Sequence, residues 1–391
     1  MTTNIARRYD IDASLYSGMK VKHYKFNDND YLIVRYNKEV LAHEQYNTCG
    51  LFRSVIYKDN TLVCYSPPKS IDYTMFKVQV PLSQIVSIEE YVEGTMINLF
   101  WTGTSWEIAT RSSVGGEVSF FSEQDDETGA SFRWMFLDAI AMHEDNSSSP
   151  DKDFFASFDN MPKTYCFSFV LQHPKNRIVA PFEKPSIYLV KTYDLSEKGI
   201  VTDIPLFDVA EMLPGWVKLP DQLHSTLEEL EQSMTSGDLD YTIVGAMIYG
   251  VDSITGNIVR TKIRNASYEI VRQLRGNQPK LKYRYLMLRN EGQVSDYLSY
   301  YPEHKDKFSI YREQIHDFTN TLYLSYISCY IKKFAPLRNY SSKYRTHMFK
   351  LHEIYKCQLV QMKKFVTKNI VIDYVNKLPT SLLMYSINLR E

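Results

Sequence analysis

The sequence predicts an α+β protein in which an antiparallel-sheet domain is followed by an all-α C-terminal domain. From Tyr31 to Trp106 the chain is a series of short β-rich runs separated by turn residues, which is typical of antiparallel sheet. Beyond Lys305, apolar residues recur instead at three- and four-residue spacing, which is the pattern of amphipathic helices. We therefore expect two domains, residues 1–290 and residues 291–391.

The predicted strands of the first domain fall into two groups separated by a helix. The helix is predicted from Ser131 to His143, after a polar loop. The strands before it are DYLIVRY, GLFRSVIY, TLVCYS, FKVQVPL and MINLFW, and those after it are YCFSFVLQ, IYLVKTYDL and YTIVGAMIYGV.

Helices are predicted throughout the second domain. An apolar stripe marks the first of them, and it consists of Ile315, Phe318, Leu322, Tyr326 and Cys329. A second helix is expected from Tyr344 to Phe365, and the tail VTKNIVIDYVNKLPTSLLMYSI predicts two further short helices.

Composition bounds the class of protein. A chain of 391 residues with 44% hydrophobic residues can bury a sizeable core. No window approaches the roughly 18 uncharged apolar residues that a membrane span needs, and the first residues lack a signal-peptide pattern. The five cysteines and nine histidines show no metal-ligand spacing. We therefore expect a soluble, cytoplasmic protein with reduced thiols, no membrane partner and no structural metal.

Charge is distributed unevenly along the chain. Residues 256–391 hold 24 Lys and Arg against 10 Asp and Glu, although the net charge of the whole chain is −1. The acidic first part and the basic last part could simply attract one another. Alternatively, the basic part presents a positive surface to a polyanion such as RNA.

Four segments occur in an order that resembles one family. They are GLFRSVIY, EEYVEGTMINLFW, FSFVLQHPKNRIV and GNIVRTKIRNASY. Together they resemble the phage-type ATP-dependent RNA ligases, within the wider group of lysine-adenylylating ligases and capping enzymes. The motif sequences are most similar to those of ligase relatives from large DNA viruses. The resemblance covers roughly residues 30–270. It implies an antiparallel-sheet nucleotidyltransferase domain of the ATP-grasp-like ligase kind.

The residue that such ligases use as a nucleophile is missing. Their Lys-x-Asp-Gly motif places a lysine amine against the α-phosphate of ATP. The matching residues of this chain begin at Tyr91, whose neutral hydroxyl is a poor nucleophile at pH 7. The resemblance still implies a ribose-contacting carboxylate at Glu93 and a tight turn at Gly94.

Two further acidic positions of the family are also changed. The resemblance expects a glutamate between two aromatic residues, where this chain has Ser168. A second glutamate is expected just before a glycine, where this chain has Val244. Three changes in register favour loss of metal-dependent nucleotidyl transfer, and we expect no confident catalytic residue and no metal ligand.

The cationic positions of the family persist. Arg53 follows the first strands, Arg111 lies where a basic residue faces the nucleotide, and Lys262 with Arg264 matches the paired basic residues of the last motif. Such cations neutralise a triphosphate in an active ligase, and without the nucleophile they can still hold a phosphate. The alternative is that Lys262 and Arg264 are exposed residues of an edge strand.

A separate RNA surface is predicted from basic residues interleaved with tyrosines. Basic residues can follow the phosphate backbone of RNA while aromatic side chains stack on unpaired bases. A solvated helix followed by a loop would give a similar sequence pattern. The candidate residues are Lys175, Arg177, Arg272, Arg275, Lys280, Lys282 and Arg284, with Tyr268, Tyr283 and Tyr285 between them.

These observations predict a ligase-like protein that binds RNA ends or a nucleotide without transferring it, with ATP and Mg²⁺ as conceivable cofactors and a protein partner that completes a complex. One alternative is an active RNA ligase with an unconventional nucleophile, for instance Lys69 or Lys58. Another is a structural or assembly protein of a large DNA virus.

Overall fold

The structure, a computed structural model, describes residues 2–4, 18–120, 130–143 and 155–389. It confirms the predicted α+β class, with antiparallel sheet in the first part of the chain and helices in the last. The strands are β1 (Thr2–Asn4), β2 (Met19–Phe26), β3 (Asn29–Tyr36), β4 (Val55–Lys58), β5 (Thr61–Tyr65), β6 (Ile85–Glu90), β7 (Thr95–Trp101), β8 (Trp106–Ala109), β9 (Tyr165–Gln172), β10 (Ser186–Asp194), β11 (Ile200–Ile204), β12 (Gly245–Val251) and β13 (Ile258–Arg264).

The strands form three antiparallel sheets. The largest has the order β1-β11-β10-β9-β7-β8, a second has the order β2-β3-β4-β5, and a third has the order β13-β12-β6. Neighbouring strands in the second sheet follow one another in sequence, whereas β6 joins β12 across a long stretch of chain. The third sheet therefore brings together segments that lie far apart in the sequence.

Strand β9 separates a core face from a second face of the large sheet. Phe167, Phe169 and Leu171 are fully buried and pack in one cluster with the helix Phe132–His143. Cys166 belongs to a different cluster, which is built on the β2-β3-β4-β5 sheet. Because alternate residues of a strand point to opposite faces, Ser168 shares the face of Cys166.

One predicted strand is wrong. The segment FKVQVPL contributes to a helix, Tyr73–Gln79, rather than to a strand. Asp72 caps this helix by accepting a hydrogen bond from the backbone N–H of Thr74 at 2.9 Å, and Phe76 is fully buried. The cap and this burial outweigh the local β propensity of the valines.

The remaining helices belong to two groups, one in the first part of the chain and one in the last part. The former are Leu206–Val209, Leu227–Ser236 and Ala266–Arg275, the last directly after β13. The latter are Leu281–Glu291, Val294–Tyr300, Lys305–Tyr326, Ser342–Ile354, Lys368–Asn376 and Thr380–Asn388.

The helical predictions are confirmed in large part. The helix with the predicted apolar stripe and the two tail helices are present. The helix predicted to reach Phe365 ends earlier, because Ser342–Ile354 passes into a π-helical turn, Tyr355–Leu359. Two helices that the sequence did not predict, Leu281–Glu291 and Val294–Tyr300, precede them.

The chain divides into two compact units, with the division between Arg272 and Gln273. The domain boundary predicted near residue 290 stays a prediction. No helix in the described part of the chain combines the length and the apolar character that a bilayer span requires.

Candidate functional site

Strand pairing places Tyr91 beside the cationic strand β13. Tyr91 follows β6, and its backbone N–H donates a hydrogen bond to the carbonyl oxygen of Gly245, the first residue of β12, at 3.0 Å. Gly245 pairs in turn with Arg264 of β13. Because Lys262 and Arg264 are two residues apart on one strand, both side chains lie on the same face of the sheet.

Gly245 is required by this geometry. Its φ is +141°, a conformation that residues with side chains rarely adopt. A Cβ atom at this position would lie 2.0 Å from the carbonyl oxygen of Ile263. The close approach of β12 to β13 beside Tyr91 therefore depends on glycine.

A cavity of about 430 Å³ opens at this position in the first unit. Its lining includes two carboxylate residues, Glu89 and Glu90, and a much larger set of cationic residues. These cationic residues are Lys38, Arg53, Lys69, Arg111, Arg260, Lys262, Arg264 and Arg272. The charge of the lining is therefore strongly positive.

The cations are close enough to disfavour one another. Burial, opposed by Tyr91 but reinforced by Arg264 and Arg53, lowers the pKa of Lys262. Burial lowers the pKa of Lys38 as well, with further lowering by Arg111 and Arg53. Burial also lowers the pKa of Arg53 to about 10, which leaves the guanidinium charged at pH 7. An anion in the cavity would relieve this repulsion.

Several of these cations are held by the protein itself. Arg111 stacks on the Tyr36 ring, with its guanidinium carbon 4.7 Å from the ring centre, and donates to the carbonyl oxygen of Arg53 at 3.3 Å. Arg260 donates to the carbonyl oxygen of Pro68, with the shorter contact at 2.6 Å. These contacts position the two guanidinium groups without neutralising them.

The remaining cations differ in their carboxylate partners. Arg264 and Arg272 both pair with Glu269. Among the described residues, no carboxylate pairs with the other four, which are Lys38, Arg53, Lys69 and Lys262. The charges of these four side chains are therefore not neutralised by an ion pair.

The Tyr91 hydroxyl lies within this cationic group. The Lys262 ammonium is 5.9 Å from the centre of the Tyr91 ring, and the Arg264 guanidinium carbon is 5.7 Å from it. Burial raises the pKa of Tyr91, but Lys262, a hydrogen bond from Arg264 and the charge of Arg53 outweigh burial and lower it overall. The phenol thus occupies a position that favours negative charge.

Glu93 and Gly94 support the backbone. The Glu93 side chain is 5% exposed, and its carboxylate accepts hydrogen bonds from the backbone N–H groups of Val179 at 2.5 Å and Ala180 at 3.1 Å. Gly94 has φ +148°, and a Cβ there would lie 2.4 Å from the carbonyl oxygen of Leu171. Gly94 lines the cavity, whereas Glu93 is not in its lining. The ribose contact expected for Glu93 stays a prediction.

The two other changed positions hold no carboxylate. Ser168 is fully buried and donates from its hydroxyl to the Asn98 side-chain oxygen at 2.8 Å. Val244 is 6% exposed and supplies only a backbone carbonyl, which accepts from Asn265 at 3.0 Å. The described residues contain no group of three or more His, Cys, Asp or Glu side chains placed to hold a metal. The cationic lining of the cavity fits the phosphates of ATP.

The two lysines considered as unconventional nucleophiles differ in position. Lys69 lines the cavity, where its ammonium donates to the Ser70 carbonyl oxygen at 2.9 Å and lies 4.6 Å from the centre of the Tyr46 ring. Lys58 donates to the Thr102 carbonyl oxygen at 2.8 Å and does not line the cavity.

The structure buries four of the ten residues of the predicted RNA surface. Tyr268 and Tyr285 are 4% exposed each, so their faces cannot stack on bases. Arg284 is buried and donates to the carbonyl oxygens of Gln273 and Leu274, and Arg275 is buried beside the Gly276 carbonyl oxygen, to which it donates. Local helix packing therefore uses these residues.

The other predicted RNA-binding residues lie outside the cavity, except Arg272. Lys280 is exposed, and Lys282 donates to the Asn388 side chain at 2.5 Å. Arg177 donates to the Val179 carbonyl oxygen at 2.9 Å, and the Lys175 ammonium lies 4.1 Å from the centre of the Trp134 ring. Their contact with RNA stays a prediction.

Sequence reasoning missed two cations of the cavity. Arg260 is two residues before Lys262 and so shares its face of β13, a period-two signal that was available in the sequence. Lys38 belongs to no motif, and only the tertiary structure places it among the arginines.

No protein-family model matches the chain, and no curated protein matches its sequence. Similar solved structures include an archaeal ATP-dependent RNA ligase, with a TM-score of 0.40 and 10% identity over 76% of this chain and 69% of that one. A putative ATP-dependent DNA ligase from Aquifex aeolicus has a TM-score of 0.38 and 11% identity, covering 88% and 79%. A point variant of the Naegleria gruberi RNA ligase with ATP and Mn has a TM-score of 0.33 and 11% identity, covering 70% and 84%. TM-scores below 0.5 establish neither activity nor ligand.

Proposed function

We propose that the chain binds a phosphate-bearing ligand, a nucleotide such as ATP or the phosphorylated end of an RNA, in the cavity around Tyr91 and does not transfer nucleotide to a lysine. The proposal rests on the cavity, which is lined by eight Lys and Arg residues against two glutamates. Burying so many like charges is costly unless an anion joins them.

The arrangement of the cations suits phosphate. Arg53 presents a planar fork of N–H donors, which matches phosphate oxygens. Lys262 supplies a compact charge, with its ammonium 5.9 Å from the centre of the Tyr91 ring. Arg111 is already fixed by its stacking on Tyr36, so it loses little side-chain freedom when a ligand binds. The site is thus largely preformed for an anion.

The position of the expected nucleophile supports binding without transfer. Tyr91 carries no amine that could form a phosphoramidate with the α-phosphate. Ser168 and Val244 supply no carboxylate for a metal-assisted step. The cations of the site persist, and these suffice for recognition of phosphate.

A second candidate is an active ligase whose nucleophile is Lys69, since this lysine lines the same cavity. Its ammonium donates to the Ser70 carbonyl oxygen at 2.9 Å and would have to lose a proton and leave that contact before attacking a phosphate. Lys58 is not in the lining, so the structure favours Lys69 over it.

The test is incubation of the folded full chain with α-labelled ATP, and separately GTP, in Mg²⁺ or Mn²⁺, followed by denaturing electrophoresis. We expect no label on the protein, together with saturable ATP binding measured by calorimetry in EDTA. Label that survives denaturation and disappears in Lys69→Arg would establish the second candidate. Absence of both label and binding would overturn the proposal.

A further inference from the structure

Two helices in the second unit end in nearly the same four-residue motif. The residues IKKF (331–334) follow the helix Lys305–Tyr326, and MKKF (362–365) follow the helix Ser342–Ile354. Each helix passes into a π-helical turn, which is Ile327–Ile331 in the first case and Tyr355–Leu359 in the second. We call the two four-residue segments the Lys-Phe tips.

Each tip contains a lysine in a backbone conformation that favours glycine. Lys333 has φ +54° and Lys363 has φ +53°. Glycine is the usual residue where a helix ends in the left-handed conformation, because a Cβ atom disfavours it. A turn alone would be more stable with glycine, so the chain keeps the lysine side chains at an energetic cost, as is typical of functional positions.

Each tip also exposes an aromatic ring. Phe334 is 74% exposed and Phe365 is 69% exposed. They are the two most exposed phenylalanines among the described residues of the second unit, where Phe349 follows at 51%. The lysines beside them, at 332, 333, 363 and 364, are exposed as well. Each tip therefore presents a flat apolar face directly beside two ammonium groups.

The surrounding sequence contains almost no acid. Between Phe318 and Arg390 the sequence contains eleven Lys and Arg residues, and the acidic residues are Glu353 and Asp373. The lysines of the tips thus lack acidic neighbours in sequence, and the segment as a whole attracts polyanions.

We infer that the two Lys-Phe tips bind single-stranded RNA, with Phe334 and Phe365 stacking on unpaired bases and the neighbouring lysines contacting phosphates. A nucleotide combines an aromatic base with a phosphate in one repeat, and each tip combines an aromatic ring with adjacent ammonium groups in the same way. The inference takes one premise from the proposed function, which is that the polyanion bound by this protein is RNA. Its residues all belong to the second unit, so it can fail while the proposal for the cavity holds.

The experiment measures anisotropy of a labelled oligouridine with the full chain, across a salt series, beside inorganic polyphosphate as a ligand without bases. Phe334→Ala with Phe365→Ala should weaken oligouridine binding at least about ten-fold and leave polyphosphate binding unchanged. Lys333→Gly with Lys363→Gly should weaken both ligands and flatten the salt dependence, while raising Tm because the strained turns are relieved. Matched controls are Phe349→Ala and Lys377→Ala, which should change little.

Three outcomes would overturn the inference. The first is a higher Tm of the Lys→Gly pair with unchanged RNA affinity, which would leave the lysines without a ligand. The second is equal weakening by Phe349→Ala, which would show that exposed apolar surface in general is responsible. The third is loss of binding to phosphatidylserine vesicles by the phenylalanine pair with RNA binding intact, which would assign the tips to a lipid surface. ATP binding measured on the same proteins reports the cavity separately.

Discussion

The Arg264 guanidinium carbon lies 5.7 Å from the centre of the Tyr91 ring, and the Lys262 ammonium lies 5.9 Å from the same ring centre. This contact joins the position where the resembled ligases carry their lysine to the basic strand of the last motif. A lysine at position 91 would be repelled by Arg264 and Lys262, whereas a phenol carries no positive charge. Tyr91 is therefore electrostatically compatible with its cationic surroundings.

Removing the cations of β13 should weaken phosphate binding. In Lys262→Ala with Arg264→Ala, each lost charge-assisted contact is expected to cost about 1.5–3 kcal/mol of binding free energy. The salt dependence of RNA-end binding should also flatten by roughly one unit for each lost phosphate contact. Calorimetry with ATP and a salt series with phosphorylated RNA measure both. Lys77→Ala, a lysine paired with Glu231 outside the lining, is the control. Unchanged affinity and slope would remove the site.

Ligand binding should raise the pKa of Tyr91. Lys262, Arg264 and Arg53 lower this pKa below 10, and phosphate charges would counter their effect. By linkage, phosphate affinity should fall as the pH rises through the pKa of Tyr91. Ultraviolet difference titration of phenolate absorbance, with and without ATP, measures the shift, and Tyr91→Phe identifies the transition. An identical Tyr91 transition in the two titrations would contradict ligand binding beside this residue.

Glu93→Ala should destabilise the first unit. The substitution leaves the buried N–H groups of Val179 and Ala180 without their carboxylate acceptor, at about 1–3 kcal/mol for each group. Urea denaturation measures the free energy of unfolding. Glu93→Gln, which keeps one acceptor oxygen, should lose less. Full stability of Glu93→Ala with reduced ATP affinity would instead assign the carboxylate to the ligand.

Gly245→Ala should be strongly destabilising. The added Cβ would lie 2.0 Å from the Ile263 carbonyl oxygen, and the φ of +141° disfavours alanine as well. We expect a loss of about 2–4 kcal/mol in the free energy of unfolding, because strain and a backbone clash combine. Gly215→Ala meets nothing within 4 Å and serves as the control. Equal stability of the two variants would show that β12 and β13 need not approach so closely.

Tyr91→Lys should restore little covalent nucleotide attachment. It supplies an amine, but Ser168 and Val244 still provide no carboxylate for a metal-assisted step. Burial and the neighbouring Lys262 and Arg264 should also lower the pKa of the new amine. Label from α-labelled ATP on the variant, compared with the unmodified chain, measures the outcome. Efficient labelling would show that an amine at position 91 suffices for nucleotide attachment.

The sequence anticipated most of what depends on local patterns. The period-two runs predicted strands such as Asn29–Tyr36 and Tyr165–Gln172, and three- and four-residue spacing predicted Lys305–Tyr326. Local patterns failed where packing decided the result, as in Tyr73–Gln79, where burial of Phe76 overrode β propensity. Hydrophobic periodicity reports only neighbours within a few residues.

For the candidate site, the sequence by itself determined the absence of the motif lysine at Tyr91 and the presence of cations at Arg53, Lys262 and Arg264. Only the tertiary structure decided what surrounds them. Pairing of β6 with β12, and of β12 with β13, brings residue 91 beside residues more than 150 positions away. The tertiary structure also places Lys38 and Arg260 in the same cavity. It buries Tyr268 and Tyr285, which the sequence suggested as exposed stacking surfaces. Long-range strand pairing and burial depend on the whole chain, so no local pattern could specify them.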